Sequence, residues 1–318
     1  MEFEPTPMES ATGELFGKLW SRYDDALFQA SVELFERRWL ANGELAGYFR
    51  GKRCLDAGCG GGRYSIAMAR MGAESVVGVD LGEEGLRDAR LRQQSLGLAQ
   101  VEFRRASVLS MPFRDREFDF VCCSGVLHHT PGIEEGLREV WRILKPGGEV
   151  YLLLYGSGGL FWPSVLLLRP LAKLIGREAM DKAIGVTELP ANRRRTMLDD
   201  YHVPILETYG EDRVEFLLRT AGFAEWRYWT VARLDHETDA TSMIHELEAR
   251  LALWEAAATT CGNIGHAAVA ADGAGILRGV LQTAREMQAQ HAAGRITAIE
   301  LQESVVGHGN HRLIARRA

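Results

Sequence analysis

RCLDAGCGGGRYSIAMARMGAESVVGVD, residues Arg53 to Asp80, is the stretch whose reading decides the fold. Cys54 and Leu55 close a short apolar run, and Asp56-Ala57-Gly58-Cys59-Gly60-Gly61-Gly62 follows at once. RYSIAMARMG then carries apolar residues at helical spacing, and SVVGVD is a second apolar run ending on Asp80. Strand, glycine turn, helix and acid-tipped strand make the first βαβ unit of a doubly wound sheet. Glycines there permit a sharp turn and a close ligand, because no Cβ intervenes. The start of the helix offers unpaired N–H groups and the positive end of its dipole. An acid at the tip of the second strand can accept both hydroxyls of a ribose. The stretch reads as a site for a nucleoside-bearing cofactor.

A dinucleotide fingerprint, G-x-G-x-x-G, is not met, because Arg63 stands where its third glycine belongs. Asp56 would also repel a pyrophosphate, whereas the same carboxylate favours a cofactor carrying an ammonium and a sulfonium. Asp56, Gly58, Gly60 and Gly62, in the pattern D-x-G-x-G-x-G, resemble motif I of class I S-adenosylmethionine-dependent methyltransferases. Further on, MPFRDREFDFVCCSGVLHH and the turn Lys145-Pro146-Gly147-Gly148 are similar to the branch that includes quinone-biosynthesis and many natural-product methyltransferases. The resemblance covers about residues 50–155. It implies an α/β, Rossmann-like, doubly wound seven-stranded sheet, six strands parallel and the last antiparallel, with an N-terminal helical cover and helical inserts. It also implies an enzyme that uses S-adenosyl-L-methionine to methylate an oxygen or nitrogen of a small molecule.

Composition agrees with a globular enzyme: 318 residues can bury a large core, and 46% hydrophobic with 25% charged residues argues against wholesale disorder. The net charge of −6 predicts no broad nucleic-acid footprint. Cys54, Cys59, Cys122, Cys123 and Cys261 contain no C-x-x-C pair and no metal-ligand spacing, so no metal is expected. Cys122 and Cys123 would point to opposite faces of a strand, which favours core packing over a redox pair. The N-terminus MEFEPTPMES lacks an apolar core, and the expectation is a cytoplasmic protein without a secretory signal.

In order along the chain, residues 1–12 read as a mobile leader within an N-terminal cover of residues 1–50, whose helical part runs from Leu15 to Leu40. Trp20, Tyr23 and Phe28 are candidate lid residues, with packing against the sheet an equally good reading of each. The cofactor-binding core spans 51–156, with a fourth strand FDFVCCS and a helix from Leu137 to Leu144. Residues 157–210 are an insert expected to close over the substrate. SGGLFWPSVLLLRPLAKLIG within it is too short, and too broken by Pro163, Arg169 and Pro170, to span a bilayer. Contact with a membrane surface carrying a lipid substrate is the other reading of that insert. Residues 211–235 continue the core with a sixth strand from Glu225 to Leu234. Residues 236–304 form a helical insert suited to a cap or a homodimer contact, and 305–318 supply the delayed last strand.

In relatives the turn after the third strand often carries an aspartate for the adenine amino group; Ser107 stands there instead, with the Val108 N–H beside it. The cofactor-binding set implied is Asp56, Gly58, Cys59, Gly60, Gly62, Asp80, Leu81, Ser107, Val108, Ser124 and, from the cover, Tyr23. His128 and His129 follow the carboxyl end of the fourth strand, where ligands of open α/β sheets bind. A neutral imidazole at that place can take a proton from an attacking hydroxyl, or hold the cofactor, or cap a helix. Tyr201 and His202 are second candidates for the base, and Arg193-Arg194-Arg195 for a clamp on an anionic substrate. The rival readings are an RNA, lipid or quinone methyltransferase and, further off, a nicotinamide oxidoreductase or a non-catalytic binding protein on the same fold.

Overall fold

The structure, a computed structural model, describes residues 5–20, 24–189, 191–229 and 239–318, without the side chains of 18–20 and 191–196. The chain divides into two units. The first comprises Met1–Tyr155, Pro204–Ala232 and Asn310–Ala318, and the second Gly156–Val203 and Arg233–Gly309.

The first unit holds seven strands: β1 (Arg53–Ala57), β2 (Ser75–Asp80), β3 (Val101–Arg105), β4 (Phe118–Ser124), β5 (Leu144–Tyr155), β6 (Phe223–Tyr228) and β7 (Asn310–Arg317). Their order is β3-β2-β1-β4-β5-β7-β6. Every pairing among β1 to β5 is parallel, and β7 runs antiparallel between β5 and β6. This is the doubly wound sheet the sequence predicts, closed by the delayed last strand. Order reverses between β1 and β4, and ligands of such sheets bind at the carboxyl ends beside that reversal.

Side-chain alternation sorts the core into two layers. Cys54, Phe120, Cys122 and Tyr151 face a layer with α2 (Asp25–Ala41) and α3 (Arg63–Arg70). Leu55, Val121, Cys123 and Val150 face the other, with α5 (Ile133–Ile143) and α9 (Glu211–Ala221). Cys122 and Cys123 therefore do part to opposite faces, and burial raises both thiol pKa values, that of Cys123 to about 12. The expected Lys-Pro-Gly-Gly turn is carried inside β5 as an irregularity: Phe118 and Phe120 pair with Leu144 and Glu149. The helix α5 begins four residues before the expected Leu137, at Ile133. The sixth strand spans Phe223–Tyr228, and residues 230–238, where its expected continuation to Leu234 falls, lie outside the described residues.

The leader expectation is corrected. Helix α1 spans Pro7–Trp20, so residues 7–12 are ordered in a helix. Thr6 and Glu9 form a reciprocal cap: the Glu9 N–H donates to Thr6 Oγ1 at 3.2 Å, and Glu9 Oε2 accepts from the Thr6 N–H at 3.0 Å. Pro7 in the first turn costs the helix no hydrogen bond. The helix packs on the start of α4 (Glu83–Ser95), and a Cβ at Gly82 would stand 2.6 Å from the Gly13 carbonyl oxygen. Only a residue without a side chain allows that approach.

The second unit is built by both inserts together. It contains α6 (Phe161–Ile175), α7 (Arg177–Gly185), α8 (Ala191–His202), α10 (Ala240–Thr260), α11 (Ile264–Ala292) and α12 (Ala298–Val305). Its two crossing chains are tied by Leu160 N–H to Val305 O at 3.0 Å and His308 N–H to Ser157 O at 3.0 Å. Arg250, 2% exposed, pairs with Asp200 and with Glu246. Among the described residues, no helix is long and apolar enough to cross a membrane.

Candidate cofactor and active site

The site is assembled at the carboxyl ends of β1, β2, β3 and β4. After β1 the chain turns at Gly58, whose φ is +81° and whose added Cβ would meet Val126 Cγ2 at 2.3 Å. Both the backbone angle and the neighbouring side chain demand glycine here. The N–H groups of Gly58 and Cys59 donate to Val79 O at 2.8 and 2.9 Å, tying the turn to β2. Helix α3 then starts from Gly62, which is left-handed with φ +82°.

Two carboxylates flank the turn with different hydrogen-bond partners. Asp80 Oδ2 accepts the Gly60 N–H and Oδ1 the Gly82 N–H, each at 2.8 Å. Burial raises its pKa, and the backbone donors Gly82, Gly60 and Leu81 oppose that rise. Each carboxylate oxygen keeps a second lone pair. Asp56 is 1% exposed; its Oδ2 accepts the Ser65 hydroxyl at 2.6 Å, while Oδ1 has no hydrogen-bond partner among the described residues. Burial pushes the Asp56 pKa up to about 7, against the pull of Ser65 and Arg63.

At β3, Ser107 is 1% exposed and donates its hydroxyl hydrogen to Glu9 Oε1 at 2.7 Å, while accepting the Leu109 N–H at 3.1 Å. Val108 is buried beside it, and Leu81 and Ser124 are half-buried at the ends of β2 and β4. Beyond β4, a single 3-10 turn holds Leu127–His129. His128 is fully buried, its ring stacked on Tyr155 at 3.9 Å, with both ring nitrogens lacking hydrogen-bond partners among the described residues. Burial, and then His129, lower its pKa well below the ordinary histidine value, so it stays neutral. His129 Nδ1 lies 2.8 Å from the Ile205 carbonyl oxygen. A carbonyl only accepts, so Nδ1 carries a hydrogen, which in a neutral imidazole places the lone pair on Nε2. Phe16 packs on the same ring at 4.9 Å, and the Glu207 N–H holds the His128 carbonyl at 3.0 Å.

Sequence reasoning thus located the glycine turn, Asp56, Asp80, Ser107 and the two histidines, which the first unit brings to one edge of its sheet. It missed Glu9, Phe16, Tyr155 and Ile205. Thr6-Pro7-Met8-Glu9 was the available signal for the first, being a capping box with proline at the first helical position. Nothing in the local sequence marks a backbone carbonyl at Ile205. Tyr23 lies outside the described residues, as do the side chains of Trp20 and Arg193-Arg194-Arg195. Phe28 is buried, with the Arg92 guanidinium 4.2 Å from its ring centre, which is packing of α2. Tyr201 and His202 belong to the second unit. Tyr201 is fully buried against Trp254 and Arg250, and burial raises its pKa. His202 is lowered to about 4 by burial and by Arg177, Arg169 and Lys173.

A doubly wound sheet with a glycine turn after β1 and an acid tipping β2 defines a Rossmann-like domain for a nucleoside cofactor. Residues 55–152 match the methyltransferase domain family. The chain is 33% identical over 191 residues to the ubiquinone biosynthesis O-methyltransferase of Bordetella avium, covering 56% of this chain and 78% of that protein. It is 45% identical over 103 residues to the protein of the same name from Pseudomonas aeruginosa, covering 32% of this chain and 44% of that one. A solved methyltransferase from Aquifex aeolicus is 20% identical, with 61% of this chain and 81% of that chain covered, at a TM-score of 0.41. The chain belongs to the class I S-adenosylmethionine-dependent methyltransferases. For several of its curated relatives it spans about half their length or less.

Proposed function

We propose that the first unit binds S-adenosyl-L-methionine at the edge formed by β1 to β4 and methylates a hydroxyl on a small aromatic molecule, with His129 as the base. The observation that carries this reading is the Nδ1–H of His129 held on the Ile205 carbonyl, a tautomer that puts the basic lone pair of a neutral ring on Nε2. The residues fit the cofactor: Asp56 Oδ1 is a buried acceptor with no hydrogen-bond partner among the described residues, and the Asp80 carboxylate stands at the tip of β2 with acceptor capacity beyond the two backbone N–H groups it holds. Asp56 would hold the ammonium end and the second lone pairs of Asp80 the ribose hydroxyls. When bound, the cofactor supplies a methyl carbon made electrophilic by its sulfonium. The chain's own work is to exclude water, align the acceptor and take its proton. Phe16 and Tyr155 give the histidine pair apolar walls, and neutral His128 adds no second positive charge beside the imidazolium that forms. An oxygen acceptor is favoured by the O-methyltransferase names of the relatives.

Matched phenol, aniline and thiophenol acceptors test this with S-adenosylmethionine and mass spectrometry of the products. The phenol should give a methyl ether at least about tenfold faster than the aniline gives N-methyl product, since only the first gains from a base. Methylation of the aniline alone would remove the reading.

Asp56 makes binding pH-dependent. An ammonium pairs with the ionised carboxylate, so affinity for S-adenosylhomocysteine should rise between about pH 6 and pH 8, approaching tenfold per unit on the acid side of about 7. Titration calorimetry in two buffers of different ionisation enthalpy should show proton release at pH 6, lost in Asp56→Asn. Without ligand the sign reverses. The folded carboxyl holds its proton more tightly than the unfolded one, so this group's contribution to stability falls as pH rises from 3.8 to about 7.

A further inference from the structure

We propose that Glu9, on helix α1, reads the exocyclic amine of the adenine ring and makes this site select adenosine over a 6-oxo nucleoside. The inference rests on the cofactor reading above and assigns base recognition to a residue of the N-terminal helix, outside the matched family region.

Three observations converge on Glu9. First, it is 6% exposed, and its hydrogen-bond partners among the described residues are all neutral: Thr6 on Oε2 and Ser107 on Oε1. A buried carboxylate held by hydroxyls and one amide is a strong acceptor with room for another donor. Second, the two oxygens divide their work. Oε2 closes the helix cap, whereas Oε1 reaches 98 residues along the chain to the turn after β3 and is not needed for the cap. Third, the address is right. The order β3-β2-β1 means that a nucleoside with its ribose on Asp80, and its tail toward the β1 turn, directs its base to the end of β3, where Ser107 lies.

Ser107 is the weaker acceptor for this role. Its hydrogen goes to Glu9 and one of its two lone pairs accepts the Leu109 N–H, so the stronger acceptor at this corner is the charged carboxylate it orients. Helix α1 is fixed over the same corner, because Gly13 abuts Leu81 and Gly82, the two residues after Asp80. An adenine amine would donate to the spare lone pair of Oε1. A 6-oxo purine would instead set a carbonyl oxygen against the carboxylate, which repels it.

The test is titration calorimetry of the full chain with S-adenosylhomocysteine and with S-inosylhomocysteine, in the parent, Glu9→Gln and Glu9→Asp. The parent should prefer the adenosyl compound by about 10- to 100-fold. Glu9→Gln keeps an acceptor oxygen for the cap and adds an amide donor; it should bind the adenosyl compound less tightly and the inosyl compound more tightly, bringing the ratio near one. Glu9→Asp withdraws the carboxylate by one methylene and should lose about tenfold on the adenosyl compound alone. A proportional loss on both nucleosides, or an unchanged ratio, would reduce Glu9 to a helix cap and overturn the proposal. A parent that binds both equally also overturns it, while leaving the cofactor reading standing. A parent that binds neither removes the cofactor reading and this proposal together.

Discussion

Asp80→Ala should weaken binding of S-adenosylhomocysteine by about 100- to 1,000-fold, the loss of two charge-assisted hydrogen bonds from the ribose hydroxyls. In the structure that carboxylate already organises the site, accepting the N–H groups of Gly60 and Gly82. The substitution therefore removes a ligand contact and orphans two backbone donors at once, and stability should fall by about 1–3 kcal/mol. Asp80→Asn separates the effects, because its amide oxygen can still accept one backbone N–H while the charge is lost. Affinity should stay at least about tenfold below the parent even where the asparagine protein melts normally. Calorimetry on both variants, beside their unfolding curves, decides the matter. An alanine variant that binds like its parent would leave no ground for placing the ribose on β2.

His129→Ala should lower turnover of a phenolic acceptor by about 10²–10⁴-fold, the usual worth of a positioned base. Affinity for S-adenosylhomocysteine should stay within about threefold, because the imidazole is assigned to the acceptor and not to the nucleoside. The deficit should shrink for more acidic phenols, which arrive already ionised and need no base. That dependence separates proton removal from a structural part in seating Phe16 or the 204–209 segment, since a packing defect would slow all acceptors alike. Undiminished turnover, or a loss independent of phenol acidity, would take His129 out of the chemistry.

The stretch Arg53–Asp80 was legible because local rules and the tertiary result coincide there. A run of buried residues, a glycine turn and a helical period leave few alternatives, and Gly58 is demanded by its φ of +81° as well as by the Val126 side chain. Asp80 and the histidine pair were legible for a related reason: the carboxyl ends of parallel strands are set by strand register, which apolar runs disclose. The first half of the N-terminal helix was not read, since helix was expected only from Leu15, although its capping signal was present. Four residues of capping box carry little weight beside an acidic, proline-containing start, and what seats the helix is a contact between Gly13 and Gly82, remote in sequence. The Ile205 carbonyl had no signal at all, since every residue carries one.

What the amino-acid order determined by itself is the sheet, its glycine bend, the two acids and the place of the histidines, because periodicity and backbone sterics act within a few residues. The tertiary structure alone decided that the segments 156–203 and 233–309 pack as one helical unit. It alone decided that Glu9 is joined to Ser107 and that Ile205 orients His129. Those pairings depend on surfaces and main-chain atoms that meet only after collapse, and no spacing along the chain encodes them.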